Sequence, residues 1–342
     1  MKWVWHILLY FLPFTAFAQK EILNLYAWTG EIPNQVIQQF EKKTGIKVNF
    51  STYENNEMLY AKLRTTKQSD YDLIMPSGYF VDRMRRQNML EKIDKKRLSH
   101  WNNIHPAFRN PAYDPNTHYS VPFIWGVTGI VVNQRYYSPL RIKKWSDLWD
   151  KQFKNQLMLL DDVREAFSIA LLTMGYSVND RDPKHLQAAF IKLKELMKNV
   201  KVFSTDTVVS IMIDEDATIG MAWNGDAFKA SQENANIKFN FPKEGFIIWI
   251  DNFAIPRTAA HKDNAYAFIN FILQPEIAKT IALRTNYPTA NIAAQKILPP
   301  AIRDNPIIYP PEEILRRGQF QTDLGEDTLA LLEKYWEELK MG

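Results

Sequence analysis

The strongest constraint on the fold is the alternation of strand-like and helix-like segments in residues 22–87. Residues 46–53 alternate apolar and polar side chains, as in a half-buried strand, whereas Val36, Ile37 and Phe40 are spaced as on one face of a helix. The order through this region is strand, helix, strand, helix, strand, helix. It predicts an α/β fold with a parallel sheet flanked by helices.

A second series of strands and helices begins after residue 155 and predicts a second α/β lobe, as a length of 342 residues also suggests. Leu186, Phe190 and Leu193, for example, lie on one stripe of a helix. Strands are predicted at 156–160, 200–203, 218–223 and 237–241, and helices at 161–174, 183–198, 258–273, 275–283 and 328–340.

Two extended aromatic runs, at 119–132 and 246–255, are the best candidates for the connection between the lobes, because no flexible Pro/Gly/Ser-rich linker is present. If both runs cross, neither lobe is continuous in sequence, and the crossings would form a hinge that closes around a ligand. The predicted division is a first lobe of residues 19–125 plus 252–297 and a second lobe of residues 126–251 plus 298–342.

Residues 1–18 have the organisation of a secretory signal peptide. Lys2 precedes a short apolar run, and Ala-Phe-Ala at 16–18 is a small-residue cleavage pattern. A short membrane anchor is the alternative, but a good membrane span needs about 20 apolar residues. The chain contains no cysteine, which excludes disulfides, cysteine nucleophiles and anchoring through a lipidated N-terminal cysteine. We therefore expect a periplasmic protein without a membrane anchor.

Several common kinds of chemistry lack their sequence motifs here. There is no G-x-G-x-x-G, Walker, G-x-S-x-G or H-E-x-x-H motif, and no two histidines are spaced to share a metal on one helix. We expect no cofactor, no metal and no catalytic residues. The formal charge of +4 and the basic stretch at 83–97 raise nucleic-acid binding as an alternative, but Glu91 and Asp94 interrupt the stretch, which favours a solvated face.

Aromatic and acidic side chains follow several predicted strands, at the ends where open parallel sheets bind ligands. Trp28 follows the first strand, Trp223 follows a later one with Asp226 three residues on, and Trp249 and Asp251 face the same side of a strand. Aromatic faces attract cations and carboxylates bind ammonium groups, so this set favours a slender polycation. Core packing of the rings is the alternative.

Motifs that are specific in combination extend over residues 22–340. They are YAWT at 26–29, STYENNEMLYAKLR at 51–64, YDLIMPSGYFVD at 71–82, DDVREAF at 161–167, GMAWNGDAF at 220–228, PKEGFIIWIDNFAIP at 242–256, YPT at 287–289 and GQFQTDLG at 318–325. Together they resemble the spermidine/putrescine-binding periplasmic proteins, the substrate-binding components of polyamine ABC transporters. The resemblance implies a non-enzymatic type II periplasmic binding protein, with two hinged lobes, a mostly parallel sheet in each, and the polyamine in the cleft between them.

The resemblance also implies which residues contact the ligand. The aromatic box is matched by Trp28, Tyr79, Trp223, Trp249 and Tyr287. The carboxylates for the amino groups are matched by Asp162, Glu165 and Asp251, and the polar contacts by Thr29, Ser77 and Gln321. Asp162 and Glu165 also have the spacing of a helix capping box, which is their alternative role.

Two positions depart from the pattern of the spermidine-binding members. Glu31 stands where these usually have tyrosine, and Asp226 stands where they often have serine and the putrescine-binding members have aspartate. Both add negative charge to the expected site. We expect spermidine to be preferred over putrescine, with a membrane permease and its ATPase as partners. The alternatives are the same fold binding another small solute, and a hydrolase that uses Asp162 and Glu165 as an acid–base pair.

Overall fold

Ten strands and thirteen α-helices make up the structure, a computed structural model that describes residues 21–65 and 70–341. The predicted signal peptide at 1–18 lies outside the described residues. The strands are β1 (Ile22–Trp28), β2 (Lys47–Tyr53), β3 (Leu73–Ile74), β4 (Ser120–Asn133), β5 (Leu157–Leu159), β6 (Val200–Phe203), β7 (Ile219–Trp223), β8 (Ile237–Asn240), β9 (Phe246–Ala254) and β10 (Gly318–Phe320).

The helices flank the sheet and connect its parallel strands. They are α1 (Asn34–Thr44), α2 (Asn56–Thr65), α3 (Gly78–Arg86), α4 (Val163–Thr173), α5 (Pro183–Leu196), α6 (Val208–Ile213), α7 (Asn224–Glu233), α8 (Lys262–Ile272), α9 (Pro275–Thr285), α10 (Ile292–Lys296), α11 (Pro300–Arg303), α12 (Glu312–Leu315) and α13 (Glu326–Met341). Short 3-10 helices lie at Lys95–Arg97, Trp101–Asn103, Pro106–Phe108, Pro115–Thr117, Trp145–Trp149 and Lys151–Phe153.

The N-terminal strands form the predicted parallel group. β1 pairs in parallel with β2 on one side and with β3 on the other. Helix α1 buries Val36, Ile37 and Phe40, the stripe that its periodicity predicts, and ends at Gly45, whose φ of 76° suits a residue without a side chain. The strand–helix alternation that predicted this arrangement is confirmed.

The two aromatic runs become the longest strands, β4 and β9, which pair with each other in antiparallel fashion. β4 is buried along its whole length: its first half pairs with β9, and its second half pairs with β7 and β8. β9 pairs with β10 at its start and with β3 at its end. These two strands therefore join the N-terminal group of strands to the second group.

The second group is built on β5, which pairs in parallel with β6 and with β7. The resulting strand order is β2-β1-β3-β9-β4-β7-β5-β6, with β10 beside β9 and β8 beside β4. The sequence patterns did not predict strand β10 or helices α6, α7, α10, α11 and α12. α7 begins directly after β7, so that no turn residue marks the boundary.

A search of the described part of the chain for membrane-spanning segments finds no helix that is both long enough and apolar enough to cross a bilayer.

Candidate functional site

A cavity of about 520 Å³ opens beyond the ends of β1, β3 and β7 and beside the middle of β9. Its volume is in the range typical of small-molecule sites. The structure brings all thirteen sequence-predicted contact residues to this one cavity: Trp28, Thr29, Glu31, Ser77, Tyr79, Asp162, Glu165, Trp223, Asp226, Trp249, Asp251, Tyr287 and Gln321 line it. Their role as ligand contacts stays a prediction.

Three aromatic side chains of the cavity, those of Trp223, Trp249 and Tyr287, meet edge to face. The Trp223 and Trp249 rings are 6.1 Å apart at 67°, and the Trp249 and Tyr287 rings are 5.1 Å apart at 78°. Trp28 lies 5.0 Å from Tyr53, a cavity residue that was not predicted. In an edge-to-face arrangement one ring presents its positive edge to a neighbour while other faces stay free for a cation or an alkyl chain.

Two glycines give these rings their space. A Cβ atom on Gly126 would lie 2.2 Å from a carbon of the Trp249 ring, and one on Gly225 would lie 2.4 Å from the Tyr287 ring. Both separations are far below van der Waals contact, so any larger residue would displace the ring. Gly126 pairs directly with Trp249 across β4 and β9, which explains why the indole lies over it.

Asp251 is 3% exposed and is held at one end of the cavity by Ser77, whose hydroxyl donates to Asp251 Oδ1 at 2.5 Å. Asn56 supports Ser77: its amide donates to Ser77 Oγ at 3.0 Å and to the Tyr79 hydroxyl at 3.2 Å, and it accepts from Ser77 N at 3.0 Å. Burial raises the pKa of Asp251 to about 7, against hydrogen bonds that lower it. This carboxyl is therefore oriented before any ligand arrives.

Glu31 and Asp226 share that end of the cavity with Asp251. Burial and the neighbouring Asp251 raise the pKa of Glu31 well above its usual value. Burial raises the pKa of Asp226 to about 6, although a hydrogen bond from Tyr287 opposes the shift. The indole nitrogen of Trp28 lies close enough to lower the pKa of Asp251 but makes no hydrogen bond of good geometry.

The second acidic region of the cavity lies at the N-terminus of α4. Asp162 caps this helix by accepting from Glu165 N at 2.9 Å, so the capping role and the cavity position occur together. Thr128 donates to Glu165 Oε1 at 3.1 Å, whereas Glu165 Oε2 is buried and lacks a partner among the described residues. Burial, together with the charge of Asp162, raises the pKa of Glu165 to about 8.

Arg164 is the buried cation of this region, and sequence reasoning missed it. Its guanidinium lies 5.1 Å from the centre of the Tyr79 ring and donates to Thr322 O at 3.1 Å, beside the predicted contact Gln321. Arg164 is 2% exposed and does not line the cavity. The signal was an arginine in the first turn of a mostly apolar helix, where a buried charge requires partners.

The lining of the cavity is strongly acidic. Eight carboxyl side chains face two basic ones, Lys229 and Arg284, and the buried oxygens of Glu31 and Glu165 have no partner in the described chain. Within residues 21–65 and 70–341, no group of three or more histidine or acidic side chains is arranged to hold a metal ion. Buried carboxylates without partners are costly, so this site is suited to an organic cation that supplies charge and hydrogen-bond donors.

Comparison with known proteins gives a consistent result. The family model described as bacterial extracellular solute-binding protein matches residues 35–310. The chain is 44% identical over 325 residues to a spermidine/putrescine-binding periplasmic protein of Salmonella typhimurium, which covers 95% of this chain and 93% of the relative. It is 30% identical to a putrescine-binding periplasmic protein of Escherichia coli, covering 88% and 86%.

A solved structure agrees with these relatives. The spermidine/putrescine ABC transporter substrate-binding protein of Streptococcus pneumoniae has a TM-score of 0.80 and 32% identity, with 94% of this chain and 99% of that one covered. The predicted periplasmic binding protein fold is confirmed by this likeness. The relatives are solute-binding components rather than enzymes, which removes the hydrolase alternative.

Proposed function

Since this chain belongs to the family of bacterial extracellular solute-binding proteins, we propose that its cleft binds a polyamine, with spermidine preferred over putrescine. One observation carries the proposal: aromatic rings surround a cavity whose eight carboxyl groups include buried oxygens without partners. Ammonium groups would satisfy these oxygens, and the methylene chain between them would pack against the rings. A neutral sugar or an anion would leave the acidic groups unpaired.

Two regions of acidic groups support a ligand with charges at both ends. Asp251 lies at one end of the cavity and Glu165 on a different element, the first turn of α4. A relative named for both spermidine and putrescine is more similar to this chain than a relative named for putrescine alone, at 44% against 30% identity. This difference supports the order of preference.

The proposed mechanism is capture by closure of two lobes, residues 19–125 plus 252–297 and residues 126–251 plus 298–342. One apolar core supports this division, because all of its buried members, from Leu23 to Tyr287, fall within the proposed first lobe, whereas the larger core contains residues of both lobes. A ligand that bridges the lobes stabilises the closed form. The closed protein then delivers the polyamine to a membrane permease driven by an ATPase, after export to the periplasm and removal of residues 1–18.

Equilibrium titration of the purified protein with spermidine and with putrescine tests the proposal. We expect both to bind with one-to-one stoichiometry, and spermidine to bind more tightly because its additional ammonium group can pair with another carboxylate. A thermal-shift panel that also contains sugars, phosphate and ferric iron provides the control, since only a ligand of the native state raises the melting temperature. Tenfold tighter binding of putrescine would reverse the order, and stabilisation by another solute alone would refute polyamine binding.

Gly126→Ala is expected to weaken spermidine binding roughly 2- to 30-fold, the range of one cation–π contact of about 0.5–2 kcal/mol, because its methyl group displaces the Trp249 indole. Gly129→Ala is the matched control on the same strand: its methyl group would meet Phe239 at 2.4 Å, and Gly129 does not line the cavity. Both variants should lose stability by about 1–3 kcal/mol through overpacking. Titration should show weaker binding only for Gly126→Ala; equal affinities would mean that Trp249 is not positioned by this glycine.

A further inference from the structure

An ion pair outside the cavity joins two chain segments that lie far apart in sequence. Arg83, on α3, donates from Nε and Nη2 to Asp323 Oδ1 at 3.0 and 2.8 Å. The two side chains are 7% and 15% exposed, so solvent screens their attraction only weakly. Beside this pair, Gln87 donates to Glu326 Oε1 at 3.2 Å. None of these four residues lines the cavity, so the pair lies outside the predicted ligand contacts.

Arg83 is held by residues of the proposed first lobe. Its guanidinium carbon lies 5.5 Å from the centre of the Tyr60 ring and 5.2 Å from that of Phe80, close enough for cation–π contacts. The Tyr60 hydroxyl donates to Gln87 Oε1 at 2.6 Å, which fixes the end of α3 to α2. The arginine is therefore carried by the first lobe.

Asp323 is held by residues of the proposed second lobe. It follows β10, and Arg181 donates to its backbone carbonyl. The preceding residue, Thr322, donates from its backbone N to Asn179 Oδ1 at 2.8 Å and accepts from Arg164 at 3.1 Å. The aspartate is therefore carried by the second lobe, and the ion pair bridges the two lobes.

We propose that Arg83 and Asp323 form a latch between the lobes: the pair forms when the cleft closes and stabilises the closed form without touching the ligand. Gln321, a predicted ligand contact, lies two residues before Asp323, so the segment that reaches the ligand also carries the latch. In the open form both charges would be solvated, and the pair would add nothing to the stability of either lobe. This inference rests on the proposed function in that it requires closure of the same two lobes.

A latch changes the affinity for every ligand by the same factor. The measured dissociation constant is that of the closed form divided by the closed fraction of the ligand-free protein. Without Arg83, closing the cleft buries Asp323 without its ion-pair partner, which lowers the closed fraction. Arg164 also lies near enough to act on Asp323 and limits this loss. Residues that contact the ligand, by contrast, change the affinities for different ligands unequally.

Arg83→Met and Asp323→Asn test the latch. We expect each to weaken the binding of spermidine and of putrescine by about tenfold or more, and by the same factor for both ligands. The first variant removes a positive charge and the second a negative one, so long-range attraction of a cation would change in opposite directions. Weaker binding in both variants therefore reports the contact itself. The double variant should bind no more weakly than the weaker single variant, because both side chains act through one pair.

Arg86→Met is the matched control. Arg86 lies on the same helix and pairs with Asp82 of that helix at 2.8 Å, so its ion pair does not cross between the lobes. We expect both affinities to stay within about twofold. In stopped-flow fluorescence of the cavity tryptophans, the latch variants should release spermidine faster while the association rate changes little, since opening precedes release. The ligand-free melting temperatures of all these variants should stay within a few degrees of that of the unmodified protein.

The outcomes separate this inference from the proposed function. Unchanged affinities in Arg83→Met, a lower ligand-free melting temperature without a loss of affinity, or opposite effects of the two latch variants would each overturn the latch while leaving polyamine binding intact. A failure of spermidine and putrescine to bind the unmodified protein overturns the proposed function. If phosphate stabilised the unmodified protein in their place, a loss of phosphate affinity in both latch variants would still support the latch.

Discussion

Asp251→Asn is expected to weaken spermidine binding by roughly 30-fold to a few thousandfold, which corresponds to about 2–5 kcal/mol for one partner of a buried charge pair. The carboxyl is 3% exposed and is oriented by Ser77 at 2.5 Å, so neither water nor a neighbouring side chain can replace it at low cost. Asparagine is nearly isosteric, and its amide oxygen can still accept from Ser77. The loss therefore reports the missing charge rather than a changed shape.

Two quantities are measured for the variant. Titration gives its affinity for spermidine, and thermal unfolding gives its unfolding temperature without ligand. Burial raises the pKa of Asp251 to about 7, so this carboxyl already resists ionisation, and Asp251→Asn should leave the ligand-free unfolding temperature within a few degrees. Asp206→Asn is the control, since Asp206 is an exposed aspartate of the same lining. We expect Asp206→Asn to change the affinity for spermidine by less than threefold. An affinity of Asp251→Asn within threefold of the unmodified protein would place the ammonium site elsewhere.

Periodicity predicted most of the fold because most of its elements bury one face. The alternation at 46–53 became β2, and the stripe of Leu186 and Leu193 became the buried face of α5. Helix α7 was missed because Trp223 ends one element and Asn224 begins the next without a glycine or proline between them. Asn224 is buried and its side chain accepts from Val127 N at 3.1 Å, a tertiary contact that no local pattern contains.

The candidate site was predicted as a set of side chains, but not with its supports. The family pattern named eleven of the thirteen residues that now line one cavity, because motifs record which side chains occur together, and Glu31 and Asp226 were added as departures from that pattern. They did not identify Asn56 as the residue that holds Ser77 and Tyr79, or Gly126 as the position that seats Trp249. Both roles depend on distances between segments far apart in sequence, and a one-dimensional pattern does not contain such distances.

The overall charge of the chain also says little about the site. The formal charge is +4, yet the cavity lining contains eight carboxyl groups and only two basic ones. Burial raises the pKa of several of these carboxyls toward neutral pH, so that a proton competes with the ligand for the carboxylate. Burial raises the pKa of Asp226 to about 6, that of Asp251 to about 7 and that of Glu165 to about 8. Binding of a cation must therefore be linked to the release of protons.

We expect spermidine to bind on the order of 1,000-fold more weakly at pH 6 than at pH 8.5, because the pKa values of Asp251 and Glu165 lie about one and two units above pH 6. A cation pairs with the ionised carboxylate, and below its pKa each carboxyl must first lose a proton, at a cost of tenfold in affinity per pH unit. Spermidine itself stays charged, since alkylammonium groups have pKa values near 10. Affinity should therefore rise with pH through the range from about 6 to 8, set by Asp226, Asp251 and Glu165, and then level off.

The same raised pKa values determine whether the stability of the ligand-free protein rises or falls with pH. A carboxyl whose folded-state pKa is raised stabilises the ligand-free protein at low pH, and that contribution is lost as pH rises through the folded-state value. The rise in melting temperature produced by spermidine should therefore grow between pH 6 and pH 8.5.

Calorimetry near pH 7 in two buffers of different ionisation enthalpy measures the protons released. Glu165→Gln removes the carboxyl with the highest pKa in this range, about 8, and should release fewer protons on binding. An affinity that stays constant from pH 6 to pH 8.5 would show that the acidic groups are already ionised before the ligand arrives.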